Sequence, residues 1–335
     1  MTASMRVVQA QVAGKPFVLA DVPVPDPGPG KVRVKVHACG VCAGDEIPRN
    51  GFLGTQLPRV PGHEIAGVVD ALGDGVDMWN VGDRVGVGWF GGSDLTCDYC
   101  RRGDFLNCVD RKIVGSTYDG GYAQYMVAPQ DAVARMPEGL DFPEAAPMMC
   151  AGVTAFNALR RSHAGPGDLI AIHGFGGLGH LAVQFARAMG FRTVAISRGR
   201  VKQELARRLG ADEFVDSTAT DPGDALHAMG GAVAILDTVS LGGLQSALVN
   251  GLKPNGQLLV LEGLDPIHVT GHNLVQPQLS ISGRYAGHAR DSEETLNFAV
   301  LRNIRPIIET YPLDRAEEAF ENLSQANLRS VLLPQ

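Results

Sequence analysis

The stretch Leu169-Ile170-Ala171-Ile172-His173-Gly174-Phe175-Gly176-Gly177-Leu178-Gly179 decides the fold. A short apolar run ends in glycines. After it, Leu178, Leu181, Ala182, Phe185, Ala186 and Met189 recur at helix spacing over three turns. A lone G-x-G-x-x-G carries little weight, but here it stands between a strand and a helix, the context that a dinucleotide site requires. Gly174 permits the tight turn, Gly176 lets the backbone approach a pyrophosphate, and Gly179 lets helix and strand pack closely. Gly177 and Leu178 complete the loop. The helix N-terminus then offers free N–H groups and a positive dipole end to phosphates.

Downstream, strands and helices alternate. Thr193–Ser197 reads as a second strand, Val201–Leu209 as a helix and Phe214–Asp216 as a third strand. Ala232–Val239, Gln257–Gly263 and Leu279–Ser282 follow as apolar strands. Such alternation predicts a doubly wound parallel α/β sheet. The second strand runs into Ser197-Arg198-Gly199-Arg200, where an NAD site expects an Asp or Glu for the ribose 2′-hydroxyl. A carboxylate would repel a 2′-phosphate, whereas a serine and an arginine would bind it. Ser197, Arg198 and the following Lys202 therefore predict NADP in preference to NAD.

The N-terminal half has a different texture. Val32, Val34 and Val36 alternate with Arg33, Lys35 and His37, as in a strand with one buried face. Prolines 23, 25, 27 and 29 precede it with Gly28 and Gly30 as a stiff turn region. Glu64–Leu72, Arg84–Trp89 and Tyr122–Ala128 read as further strands between loops rich in Gly and Asp. The expectation is an irregular, mostly antiparallel β domain. In the tail, Ser292–Arg302 and Asp314–Leu323 read as helices and Arg329–Leu333 as a strand.

Composition narrows the function. The 335 residues are 45% hydrophobic and 19% charged, enough for real cores. The net charge is −7 and no basic run marks a nucleic-acid surface. No apolar stretch approaches a membrane span. The first residues lack the apolar core of a signal peptide, which predicts a cytoplasmic protein with reduced thiols. Six cysteines in that setting point to metal binding or catalysis. Asp94, Cys97, Cys100 and Cys108 follow the spacing Asp-x2-Cys-x2-Cys-x7-Cys, a closed four-ligand set suited to structural zinc. Asp is the less usual ligand and reads equally as an ordinary loop carboxylate. Cys42, His63 and Cys150 are dispersed. Each alone is weak, but two thiolates and one imidazole beside a nucleotide fold make an open zinc site.

These features, in this order, resemble the zinc-dependent alcohol dehydrogenases of the medium-chain dehydrogenase/reductase superfamily. The resemblance rests on Gly40-Val41-Cys42 with Asp45, on Gly62-His63-Glu64, on the four-ligand loop, on Cys150-Ala151-Gly152-Val153-Thr154 and on the glycine loop. It implies a mostly β GroES-like catalytic domain (1–150 and 290–335), a Rossmann coenzyme domain (151–289) and an active site in the cleft. By resemblance Cys42, His63 and Cys150 hold the catalytic zinc, giving two zinc ions per chain. Glu64 sits beside the metal, Asp45 orients His63, Thr154 touches the nicotinamide, and Arg329 pairs with the glutamate and the pyrophosphate. Cys39 matches no ligand. Trp89, Phe52 and Leu53 fall at pocket-lining positions. The implied reaction is hydride transfer between a small-molecule alcohol, aldehyde or ketone and a nicotinamide, in a homodimer or homotetramer.

The pattern is broken at one place. Cys42 is followed by Ala43 and Gly44, where relatives carry a hydroxyl that takes the alcohol proton, and Ile47 stands where a relay histidine is usual. A water, a cofactor ribose hydroxyl or another side chain must then carry the proton, and water is the expected carrier. Three other readings remain open at this level: a polyol or sugar dehydrogenase, a zinc-free reductase of activated double bonds, and a non-catalytic nucleotide- or zinc-binding protein.

Overall fold

The computed structural model describes residues 3–239, 244–263, 266–324 and 329–335. The chain divides into two compact units: Met1–Val153 with Ala286–Gln335, and Thr154–Tyr285.

The second unit is a six-stranded sheet in the order Glu213–Asp216, Arg192–Ser197, Leu169–His173, Ala232–Asp237, Leu252–Val260, Ser280–Gly283. Every pairing is parallel. Numbered along the chain the order is 3-2-1-4-5-6, the Rossmann arrangement. Leu169–His173 and Ala232–Asp237 are buried throughout, as strands covered on both faces must be. Helix Gly179–Ala188 buries Leu181, Ala182, Phe185 and Ala186 as its spacing predicts. The expected strand at 257–263 is the second half of Leu252–Val260, whose pairing with Ala232–Asp237 shifts register near Ala232. Helices Pro222–Ala228 and Gln245–Asn250 also belong here. They are too short to show a convincing period in the sequence.

The first unit is the GroES-like β domain. Its main sheet runs Ile308–Pro312, Arg329–Leu333, Lys31–Gly40, Ile65–Leu72, Arg84–Val87, Val133–Arg135, with Tyr125–Pro129 also paired to Lys31–Gly40. All pairings are antiparallel except that of the first two strands. Val32, Val34 and Val36 are fully buried while Arg33, Lys35 and His37 are half-buried, so the alternation sets the strand's faces. Two short elements flank Cys150, a helix at Phe142–Pro147 and another at Val153–Arg160, joined by a π-helical turn at Met148–Gly152. The hairpin Ser4–Gln9/Val18–Pro23 and the strand Ile308–Pro312 add to the strands expected from sequence. Among the described residues no helix is long and apolar enough to cross a membrane.

Candidate active site and metal centres

The first centre is built around a buried carboxylate. Asp45 sits at the end of the 3-10 turn Ala43–Asp45, just after the strand Lys31–Gly40. Its Oδ2 accepts from the Cys42 backbone N–H at 3.0 Å and from the Tyr122 hydroxyl at 2.9 Å. Its Oδ1 accepts from the Gly62 N–H at 3.0 Å and faces His63 Nδ1 at 3.1 Å. Asp45 is fully buried, and hydrogen bonds to charged groups contribute about 1.5–3 kcal/mol each, so four of them can offset its desolvation. The result is a fixed imidazole: with Nδ1 committed to Asp45, Nε2 is the atom that can bind something else.

Among the described residues Nε2 has no hydrogen-bond partner, although it is buried. Its neighbours are soft or anionic donors. One ligand atom from each of Cys42, His63, Glu64 and Cys150 lies within 4.8 Å of the others. The hydrogen bond with Cys150 holds the Cys42 thiol well below its ordinary range, aided by His63, while the same contact and burial push Cys150 up. Burial presses His63 toward the neutral form, but Asp45 and Cys42 outweigh it and raise the ring above its usual value. Two sulfurs beside an imidazole are the donor set that a zinc ion completes by displacing protons. An orphaned buried nitrogen aimed into that set fits the same group.

Glu64 is fully buried and pairs through Oε1 with Arg329, leaving Oε2 without a partner. Burial pushes its carboxyl up to about 8 even though Arg329 opposes the shift. Arg329 enters from the tail strand Arg329–Leu333. Residues 325–328, just before it, lie outside the described residues.

Trp89 meets the His63 ring edge-on, with centroids 4.8 Å apart and planes at 89°. Gly44 completes this corner: a Cβ there would lie 2.9 Å from His63 Cε1 and 3.1 Å from Trp89 Cζ3. The absence of a side chain at 44 therefore has a steric cause. Phe52 and Leu53 stand on the 3-10 turn Phe52–Gly54 and are 58% and 70% exposed. Cys39 is a buried thiol outside the ligand group.

The second centre brings Asp94, Cys97, Cys100 and Cys108 within 4.8 Å by their ligand atoms. Asp94 Oδ1 accepts from the N–H groups of Cys97 at 2.8 Å and Thr96 at 2.7 Å, which hold its carboxyl well below the usual range. The Asp94 N–H in turn donates to Cys108 Sγ at 3.3 Å. Backbone N–H groups lower Cys97 as well, whereas burial pushes Cys100 up to about 12. Asp94 thus both caps the loop that carries the cysteines and offers an oxygen to the set.

In the second unit a cavity of about 460 Å³ opens at the glycine loop, lined among others by Gly174, Gly176, Ser197, Arg198 and Lys202. Gly174 holds φ +91°, open to glycine at little cost, and a Cβ on Gly179 would lie 1.8 Å from the Gly174 carbonyl oxygen. Nothing lies within 4 Å of a Cβ built on Gly176. The loop is tight where it packs and open where a ligand would approach. Lys202 Nζ donates to the Phe175 carbonyl at 3.0 Å. Burial, then Arg198, lowers the Lys202 ammonium. Thr154 is buried at the start of this unit.

Comparison with known proteins agrees with both halves. Residues 28–138 match the alcohol dehydrogenase GroES-like domain and residues 177–300 match the zinc-binding dehydrogenase domain. The chain is 42% identical over 316 residues to alcohol dehydrogenase patD of Penicillium expansum, covering 94% of this chain and 93% of that protein. It is 38% identical over 326 residues to an alcohol dehydrogenase of Geobacillus stearothermophilus, covering 95% and 96%. A cinnamyl alcohol dehydrogenase structure from Sorghum bicolor superposes with a TM-score of 0.89 at 32% identity, covering 99% and 98%. The chain belongs to the zinc-type alcohol dehydrogenases of the medium-chain dehydrogenase/reductase superfamily.

Proposed function

We propose that the protein is a zinc- and nicotinamide-dependent dehydrogenase that interconverts a small apolar alcohol and its aldehyde or ketone. The observation that carries the reading is the buried, unpartnered His63 Nε2 facing the Cys42 and Cys150 sulfurs. Cys42, His63 and Cys150 would hold the catalytic zinc, and Asp94, Cys97, Cys100 and Cys108 a structural one. Bound zinc supplies Lewis-acid polarisation of the alcohol or carbonyl oxygen, and the nicotinamide supplies or accepts the hydride.

The chain's own residues do the rest. Asp45 keeps His63 in one orientation and one tautomer. Trp89 covers the ring and gives the substrate side an apolar wall, which favours aliphatic or aromatic alcohols over polyols. Gly44 and Ile47 move no proton, so the alcohol proton leaves through water. Ser197 and Arg198, with Lys202 beside them, would take a 2′-phosphate, which favours NADP over NAD. Thr154, Arg329, Phe52 and Leu53 are assigned to the nicotinamide, the pyrophosphate and the pocket rim by family position.

The test is a panel of primary alcohols, aldehydes, ketones and polyols run with both cofactors on protein of measured metal content. Higher kcat/KM for apolar substrates with NADP(H) is expected. A tenfold preference for NAD would sink the cofactor assignment, and activity confined to polyols the substrate assignment. Full activity after complete zinc removal would sink the metal's role.

A further inference from the structure

His173 and Asp237 end the first and fourth strands of the parallel sheet and are register partners. Their side chains leave the sheet side by side, and His173 Nδ1 lies 2.6 Å from Asp237 Oδ1. His173 is 4% exposed and Asp237 fully buried. Among the described residues Asp237 Oδ2 has no hydrogen-bond partner. A buried carboxylate left half-satisfied is a costly way to join two strands, since an apolar pair of similar volume is often neutral or more stable. The pair sits where the strand order reverses, at the carboxyl ends, where open α/β sheets bind ligands.

The remaining ring atom points to the purpose. The contact with Asp237 uses Nδ1 and leaves Nε2 as the second polar atom of the ring. His173 lines the cavity at the glycine loop together with Gly174, Gly176, Ser197 and Arg198. Thr238 fastens the backbone beneath it: its N–H donates to the His173 carbonyl at 3.0 Å and its hydroxyl to the same oxygen at 2.9 Å. The ring is thus held by Asp237 through Nδ1 and borders the cavity.

We propose that His173, oriented by Asp237, hydrogen-bonds the sugar–phosphate backbone of the bound dinucleotide and positions it. The pair repeats in the nucleotide site the device that Asp45 and His63 form at the metal: a buried carboxylate fixes one ring nitrogen and aims the other. This inference rests on the nucleotide-site reading above.

The test uses the full chain and three probes: NADPH, followed by its fluorescence, ADP-ribose and adenosine. His173→Phe keeps ring volume but loses Nε2, and His173→Gln serves if the phenylalanine variant does not fold. Roughly tenfold weaker binding of NADPH and ADP-ribose is expected, with adenosine unchanged. Asp237→Asn should weaken the same two probes and add little when combined with a His173 variant. Unchanged affinities with a lowered Tm would overturn the proposal and leave the pair as a strand staple. Equal weakening of all three probes would overturn it too. Failure of the unmodified protein to bind either NADPH or NADH would instead refute the nucleotide site itself.

Discussion

Gly44 and Trp89 divide one space between them: a Cβ on Gly44 would lie 3.1 Å from Trp89 Cζ3, and closer still to His63. The missing relay hydroxyl and the bulky neighbour are therefore one feature. Gly44→Ala and Gly44→Ser should behave alike, because the Cβ rather than the hydroxyl meets Trp89 and His63. Overpacking costs about 1–3 kcal/mol of stability, so Tm should fall in both, and kcat/KM should drop by a similar factor in the two variants. Adding Trp89→Leu should restore much of the loss. A serine variant that oxidises alcohols faster than both the alanine variant and the unmodified protein would show that the hydroxyl matters after all.

Tyr122 donates to Asp45 at 2.9 Å, yet nothing in the sequence singles it out. Tyr122→Phe removes one of the four groups around the carboxylate and loosens the ring it holds. Partners one step removed from a metal typically matter 10–100-fold for its affinity. Zinc loss to a chelator should accelerate by about that factor at the Cys42–His63–Cys150 centre, with metal content followed against time. Loss at the unmodified rate would reduce Tyr122 to a packing residue.

That contrast marks what a single sequence can reveal. Cys42, His63 and Cys150 are legible because few residue types bind zinc and their flanking glycines are distinctive. Tyr122 is not, because an aromatic residue in an apolar stretch reads as core and its hydroxyl partner is distant in the chain. The Rossmann strands are legible because each is a continuous apolar run. The strand Ile308–Pro312 is not, because it is mostly exposed and lies against its parallel neighbour Arg329–Leu333. Phe52 and Leu53 are placed at the pocket by resemblance alone, and both stand largely exposed.

Asp94 has two tasks in its loop, capping the turn and facing the sulfurs. Asp94→Asn keeps the capping acceptor but weakens the charge offered to the metal, and Asp94→Ala loses both. Metal analysis should give near two zinc per chain for the unmodified protein. It should fall toward one for the alanine variant, with a lowered Tm and with the asparagine variant between. Two zinc ions retained in the alanine variant would make Asp94 a turn residue only.

The position of Arg329 also orders the protein's synthesis. Glu64 is made early, but the guanidinium that neutralises it and the strand that pairs with Lys31–Gly40 are made only after the whole of Thr154–Tyr285. The unit Thr154–Tyr285 is then complete in sequence while Lys31–Gly40 still lacks one of its three partner strands. Until then Glu64 lacks the guanidinium that opposes the effect of its burial, and the end of Lys31–Gly40 at Cys39 and Gly40 stays open to wrong pairing. Nascent chains stalled before residue 329 should show protease protection over Thr154–Tyr285 and cleavage within the first 153 residues. Early protection of both would break this order of assembly.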